Sequence, residues 1–203
     1  IVILFLIAFQ KKLEAKENLK KSINIFISST NVMFDPIFKK HHISPDHPES
    51  PDRIISIEKG LKNHGLINKI IDIDHKREIK KWIETVHTSQ HVNSIKKSSP
   101  LANKVAQAGV RACLTAVDKV LSKTCNNIFC ATRPPGHHAL NTGKEEGFCY
   151  FNNIAIAAKY AQQKHKLKKI LIIDWDYHHG NATESMFYDD PTVLFFSTHD
   201  QFA

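Results

Sequence analysis

The sequence predicts an α/β fold in three layers, with helices on both sides of a mainly parallel sheet. Three observations predict it. From about residue 127 onward, short apolar runs alternate with helix-periodic segments, the pattern of strand–crossover–strand units. Residues 169–175 read as a continuous apolar strand of the kind buried on both faces. Two histidine-rich segments follow directly on apolar runs, at the strand ends where such sheets bind ligands.

The elements follow in order. Residues 10–22 are rich in Lys and Glu and read as a solvated linker or helix. Alternation in Ile23-Asn24-Ile25-Phe26-Ile27 predicts a first strand over 23–29. Residues 35–51 hold four prolines and three histidines and predict an extended, rigid loop. Ile54, Ile57 and Leu61 recur at helical spacing from Asp52, and Gly65 suits the helix end. Residues 66–73 read as a strand and 77–97 as helical in part. Val105, Ala108, Ala112, Ala116 and Val120 make one apolar stripe of a helix over 102–121. A strand over 127–131 and a Pro-, Gly- and His-rich loop over 132–150 come next. A helix over 153–164, the 169–175 strand, a short helix over 181–188 and a strand over 193–196 complete the pattern.

With 203 residues, 42% hydrophobic and 24% charged, the chain has apolar mass for one core and reads as globular rather than disordered. The net charge of +8 comes mostly from scattered lysines and reads as a solvated surface, with no nucleic-acid motif beside it. Cys113, Cys125, Cys130 and Cys149 form no C-x-x-C pair, which argues against a zinc ribbon or a disulfide framework. A reducing compartment fits them, and the cytoplasm is the expectation. Residues 1–9 are wholly apolar but too few to span a bilayer as a helix. They stand open as the tail of a signal or anchor segment, or as a stretch upstream of the domain. The division expected is 1–22 as an apolar segment and basic linker, and 23–203 as part of a catalytic domain truncated at both ends.

Two motifs carry chemistry. The first is Asp174-Trp175-Asp176-Tyr177-His178-His179-Gly180-Asn181. In an extended segment, residues two apart share a side, so Asp176 and His178 are expected together as one oxygen and one nitrogen ligand of a zinc ion. The second is Arg133-Pro134-Pro135-Gly136-His137-His138-Ala139, where two prolines and a glycine fix a sharp turn before adjacent histidines. Rigid histidines near a metal suit general acid–base work. Either motif alone has a plainer reading, as a surface turn; together, each after a predicted strand, they point to one site.

These motifs, with Gly147-Phe148-Cys149-Tyr150-Phe151-Asn152-Asn153 and His47-Pro48-Glu49-Ser50-Pro51-Asp52-Arg53, resemble the histone deacetylase and acetylpolyamine amidohydrolase family, its class II and bacterial branch above all. The resemblance runs from about residue 23 to the end. It implies the arginase/deacetylase-like form of the three-layer fold, and hydrolysis of an acyl-amide bond in acetyl-lysine or an acetylated polyamine. It implies Asp176 and His178 as two of three zinc ligands, with His137 and His138 beside the attacking water. Asp174 would orient His137, and Asn181 would orient His138. Gly147 and Phe148 would border the channel for the acyl chain. A potassium ion would take Asp174, the carbonyls of Asp176, His178 and Thr198, and the Ser197 hydroxyl. Because Asn181 is neutral, it raises the pKa of His138 less than an Asp would, so His138 is expected to be a neutral base near pH 7.

The sequence also departs from the family pattern. The third zinc ligand and the tyrosine or histidine that stabilises the oxyanion have no counterpart within these 203 residues, so the chain alone is expected to be inert. The loop 96–103 lacks the acid with which many members grip the substrate backbone. A non-catalytic acyl-lysine binder or scaffold of the same fold stands as the alternative. A dimanganese ureohydrolase is disfavoured because no carboxylate follows His178 at the needed place. His41, His42 and His47 read as residues of a rim loop, and oligomerisation stays open.

Overall fold

The computed structural model describes residues 30–201. The expectations for 1–9, 10–22 and the strand at 23–29 lie outside the described residues. Strand β1 (Asn31–Met33) pairs in parallel with β2 (Lys69–Ile70) on one side and β3 (Ile128–Cys130) on the other. Strands β4 (Ile170–Asp174) and β5 (Val193–Ser197) form a second parallel pair, with Asp174 in register with Ser197. The helices are α1 (Pro51–Asn63), α2 (Lys80–Ile83), α3 (Ser89–Ser98), α4 (Pro100–Leu121), α5 (Asn153–His165) and α6 (Asn181–Phe187). Every pairing between strands is parallel, as expected, but the described strands lie in two sheets rather than one.

Helix α4 explains part of that division. Its predicted stripe, Val105, Ala108, Ala112 and Ala116, packs with Met33, Phe38, Ile54 and Ile128 on the first sheet's side. A second face, Ala102, Ala106, Val110, Leu114 and Val117, packs with α5 and with Ile170 and Ile172 of β4. The helix is thus apolar on two faces, and each sheet shares a core with one of them. Small residues let α5 come close: a Cβ at Gly109 would stand 3.4 Å from the Asn153 side chain.

Two local expectations need correction. The chain enters β1 at Asn31, just before the proline-rich loop, and that loop contains a short 3-10 helix, Pro36–Lys39, capped by the Asp35 side chain. Strand β4 is not buried on both faces. Ile170, Ile172 and Asp174 are buried, Leu171 and Ile173 only partly, and on β5 Leu194 and Phe196 are 65% and 53% exposed. Among the described residues, no helix is long and apolar enough to cross a membrane.

Candidate active site

The site lies where the loop after β3 meets the loop after β4. Arg133 opens the first loop and is its anchor. Its guanidinium is 1% exposed. It grips the Glu49 carboxylate through Nε (2.8 Å) and Nη2 (2.6 Å), and donates Nη1 to the carbonyls of Phe38 and His41, each at 2.6 Å. A buried carboxylate needs such a partner, and the fork geometry makes it specific. Arg53 adds a longer contact to Glu49 at 3.3 Å. The segment His47–Arg53 thus supplies the socket for the histidine loop. Gly136 follows because a Cβ there would come within 2.6 Å of the Phe151 carbonyl.

His137 and His138 then stand side by side, ring centroids 4.1 Å apart. Buried His137 donates Nδ1–H to Asp174 Oδ2 at 2.9 Å, which leaves Nε2 facing Asp176 Oδ1 at 3.7 Å. His138 Nδ1 lies 2.7 Å from Asn181 Oδ1. Burial lowers the pKa of His138 below the ordinary histidine value, and neighbouring His137 and His178 push the same way. The Asn181 hydrogen bond and Asp176 work against that shift.

The second loop owes its shape to turns, not to strand alternation. Strand β4 ends at Asp174, whose Oδ1 accepts the Asp176 amide at 3.0 Å. Asp176 Oδ1 accepts the His178 amide at 2.9 Å. Two successive side-chain turns of this kind reverse the chain. They bring His178 Nδ1 to 3.4 Å from Asp176 Oδ1. Asp176 and His178 are neighbours as expected, but for this different reason. Helix α6 closes the assembly: its free amides at Ala182 and Thr183 donate to the His137 carbonyl at 3.1 and 3.4 Å. Gly180 is required just before it, since a Cβ would stand 2.4 Å from Asp174 Oδ2.

The aromatic wall sits on a two-residue turn. Glu146 and Cys149 exchange backbone hydrogen bonds of 3.1 and 2.8 Å across it. Gly147 (φ +52°) and Phe148 (φ +68°) both have positive φ, as the tightest hairpin turns demand. Phe148 is costly there, and two contacts hold it where it borders the site: its amide donates to the Glu145 carboxylate, and its ring meets the His47 ring edge-on at 4.6 Å. At Gly147 a Cβ would lie 2.3 Å from His138 Cδ2, so the glycine is needed by His138 as well as by the turn. His137, His138, Gly147, Phe148, Asp176, Tyr177 and His178 share one cleft of about 350 Å³.

Ser197 and Thr198 lie at the paired end of β5. The Thr198 amide donates to the Asp174 carbonyl at 2.9 Å, and the Ser197 hydroxyl meets His199 Nδ1 at 2.8 Å. Cys149 is fully buried, and burial drives its thiol pKa far up, so it is no nucleophile. His41 is not a rim residue. It is 3% exposed, lies edge-on to Tyr150, and leaves Nε2 without a hydrogen bond, 3.9 Å from Glu49 Oε2. Sequence reasoning missed Arg133 and Glu49 as a pair, and missed His87 and His91 altogether; the signal for the latter was an H-x-x-x-H spacing at the start of a helix.

Among the described residues, no group of three or more His, Cys, Asp or Glu side chains is arranged to hold a metal. The two-ligand set nevertheless fits one edge of a zinc site. Tetrahedral ligands at about 2.0–2.1 Å from zinc stand roughly 3.3–3.4 Å apart, and Asp176 Oδ1 and His178 Nδ1 are 3.4 Å apart.

Comparison with known proteins agrees with this geometry. Residues 47–203 match the histone deacetylase domain. The chain is 37% identical over 178 residues to "Histone deacetylase 6" of Caenorhabditis elegans, covering 76% of this chain and 18% of the relative. It is 34% identical to "Histone deacetylase 5" of Arabidopsis thaliana, covering 83% and 29%. It is 33% identical to "Polyamine deacetylase HDAC10" of Mus musculus, covering 74% and 26%. The crystal structure of the HDA15 HD domain superposes with a TM-score of 0.75 at 33% identity, covering 85% of this chain and 53% of that one. The chain therefore spans less than a third of these curated relatives and about half of that solved domain, and its two parallel sheets and their helices are part of the three-layer α/β deacetylase-like fold. By these matches and by the site they fall on, the chain belongs to the histone deacetylase family.

Proposed function

We propose that this chain supplies the histidine pair and two metal ligands of a zinc-dependent hydrolase that removes an acyl group from an amine, with acetyl-lysine or an acetylated polyamine as the substrate class. The observation that carries the reading is the convergence of His137 Nε2 and His178 Nδ1 on one oxygen of Asp176, at 3.7 and 3.4 Å. Asp176 and His178 would hold the zinc ion, which when bound supplies Lewis-acid polarisation of the amide carbonyl.

The rest falls to the chain's own groups. With Nδ1 bound to Asn181, His138 has Nε2 free to take a proton from the attacking water and return it to the leaving amine. Its lowered pKa favours the neutral, proton-accepting form at pH 7. Asp174 fixes the tautomer of His137 and leaves Nε2 turned to the reacting centre. Phe148 and Gly147 flank the approach of the acyl chain. The register of Asp174 with Ser197, and the Thr198 amide on the Asp174 carbonyl, bring these three residues to one strand end, which supports a potassium ion there, with the carbonyls of Asp176 and His178 as its further ligands.

The polyamine deacetylase among the relatives supports a small acylated amine as substrate. The loop 96–103, without an acidic side chain, supports it too. A catalytic zinc normally takes three protein ligands, so we expect the 203-residue chain alone to be inert. The test is zinc content and turnover of acetyl-lysine peptide and N-acetylputrescine. A polypeptide that includes the remainder of the domain should bind one zinc and turn over, and Asp176→Asn should lose both. A zinc-free protein with full turnover would overturn the reading, and full turnover by the 203-residue chain would overturn its expected inertness. A protein that binds zinc without turnover would favour the non-catalytic binder.

A further inference from the structure

Two buried histidines outside the site hold the loop that carries its aromatic wall. His87 precedes Thr88, the extended cap of α3, and His91 lies in the first turn of that helix, on one face with Ser94. Their rings stack at 4.8 Å, inclined by 19°, and all four ring nitrogens have partners.

Those partners decide where the protons sit. The Asn141 side chain donates Nδ2–H to the Val86 carbonyl (3.1 Å) and accepts the Thr88 amide on Oδ1 (2.8 Å). Two backbone partners of opposite kind fix the orientation of that amide group. Its Oδ1 also faces His87 Nδ1 at 3.3 Å, so Nδ1 carries the proton. His87 Nε2 must then be bare, and it accepts the Asn152 amide at 2.9 Å. His91 is the reverse: Nε2 donates to the Tyr150 carbonyl (2.8 Å), and Nδ1 accepts the Gly143 amide (3.0 Å). Residues 141, 143, 150 and 152 are thereby tied to one end of α3. Gly143, at φ +83°, completes the fit, since a Cβ would press on Ser94 at 3.3 Å. The tie continues toward the site. The Asn152 side chain caps α5 at Ala155 and donates to Thr183 Oγ1 at 2.9 Å, two residues beyond Asn181.

We propose that His87 and His91 are positioning residues for the substrate channel: in opposite tautomers they latch the 141–152 loop, and so hold the turn with Gly147 and Phe148 against His138 and His47. This deepens the hydrolase reading by naming what sets the wall of its channel, although the contacts themselves do not depend on that reading.

The test uses the 203-residue chain and needs no turnover. Long-range ¹H–¹⁵N spectra of the histidine rings at pH 7 should show His87 protonated on Nδ1 and His91 on Nε2; the opposite tautomers, or averaging ones, would overturn the latch. In His87→Phe, the amides of Gly143 and of 147–152 should exchange about tenfold faster or more, the equivalent of losing one buried hydrogen bond, while those of α4 keep their rates. His87→Gln, whose Oε1 can replace Nε2 as the acceptor, should restore protection. Faster exchange at Asn152 alone overturns the proposal, as does equal acceleration throughout α4. Should the Phe variant not fold, the tautomers and the Gln variant decide. A chain that binds no zinc and cleaves no amide would leave the latch standing, and a failed latch would leave the hydrolase reading standing.

Discussion

His87 should make the protein acid-labile in a way that one substitution removes. Burial is the main cause that lowers its pKa, from 6.5 to about 3; repulsion from His91 adds to it, and the Asn141 hydrogen bond opposes it. The unfolded chain takes up the corresponding proton near pH 6.5, and the folded chain not until about pH 3. Between those values the unfolded state binds more protons, so stability falls as pH falls, by about 1.4 kcal/mol per pH unit. The loss is absent above pH 6.5, reaches roughly 2 kcal/mol at pH 5, and totals about 5 kcal/mol by pH 3. Urea unfolding at pH 7, 6 and 5 measures this, with fluorescence of Trp82, whose ring meets Tyr160 at 4.7 Å, as the probe. His87→Gln sets the whole curve lower by a constant amount, yet should lose roughly 2 kcal/mol less than the wild type between pH 7 and pH 5. Groups that do not touch His87, including His41 with its lowered pKa, act equally on both proteins. Parallel curves would show that the folded protein already protonates His87 at ordinary pH, and would refute the reasoning.

Three further outcomes follow from the same geometry. Gly147→Ala places a methyl 2.3 Å from His138 Cδ2 at a positive φ, and should cost about 1–3 kcal/mol in urea unfolding while displacing the His138 ring resonances; unchanged His138 signals would contradict it. Arg133→Ala leaves the Glu49 carboxylate without its principal partner and should destabilise by about 3–5 kcal/mol, more than Arg53→Ala, whose contact is longer and partly exposed; equal losses would count against the socket. Cys149 should resist iodoacetamide at pH 8 in the folded chain, since burial drives its thiol pKa up; mass spectrometry showing labelling as fast as in urea would contradict that.

The chemistry-bearing segments were legible because each is short, and local geometry does most of the work. The His137–His138 turn announces itself in Pro134, Pro135 and Gly136, and the Asp176–His178 approach in two side-chain turns. Even there the sequence suggested the wrong cause, strand alternation, for the right neighbourhood. What stayed illegible depends on partners distant in the chain. Arg133 and Glu49 are 84 residues apart, and nothing local says that they meet. His41 looks like a rim residue among prolines until Tyr150 covers it. His87 and His91 show only an H-x-x-x-H spacing, which does not name their partners, mostly backbone groups of a loop some 50 to 65 residues away. The stripe on α4 was visible as one face, while the second face, Ala102, Ala106, Val110, Leu114 and Val117, is interleaved with it in the sequence and packs on α5 and β4, partners that no local pattern names.

The doubled grip of His137 has a practical corollary for anyone altering this protein. Its ring holds Asp174 and its carbonyl holds the start of α6, so one residue clasps both ends of the segment from 174 to 183. That segment behaves like a link of set length. Swapping Tyr177, which lines the cleft but is 64% exposed, should leave the fold intact, whereas adding or deleting even one residue would force the clasp open at one end. Libraries aimed at new specificity should vary Tyr177 here and leave alone the spacing and the site residues Asp174, Asp176, His178, Gly180 and Asn181.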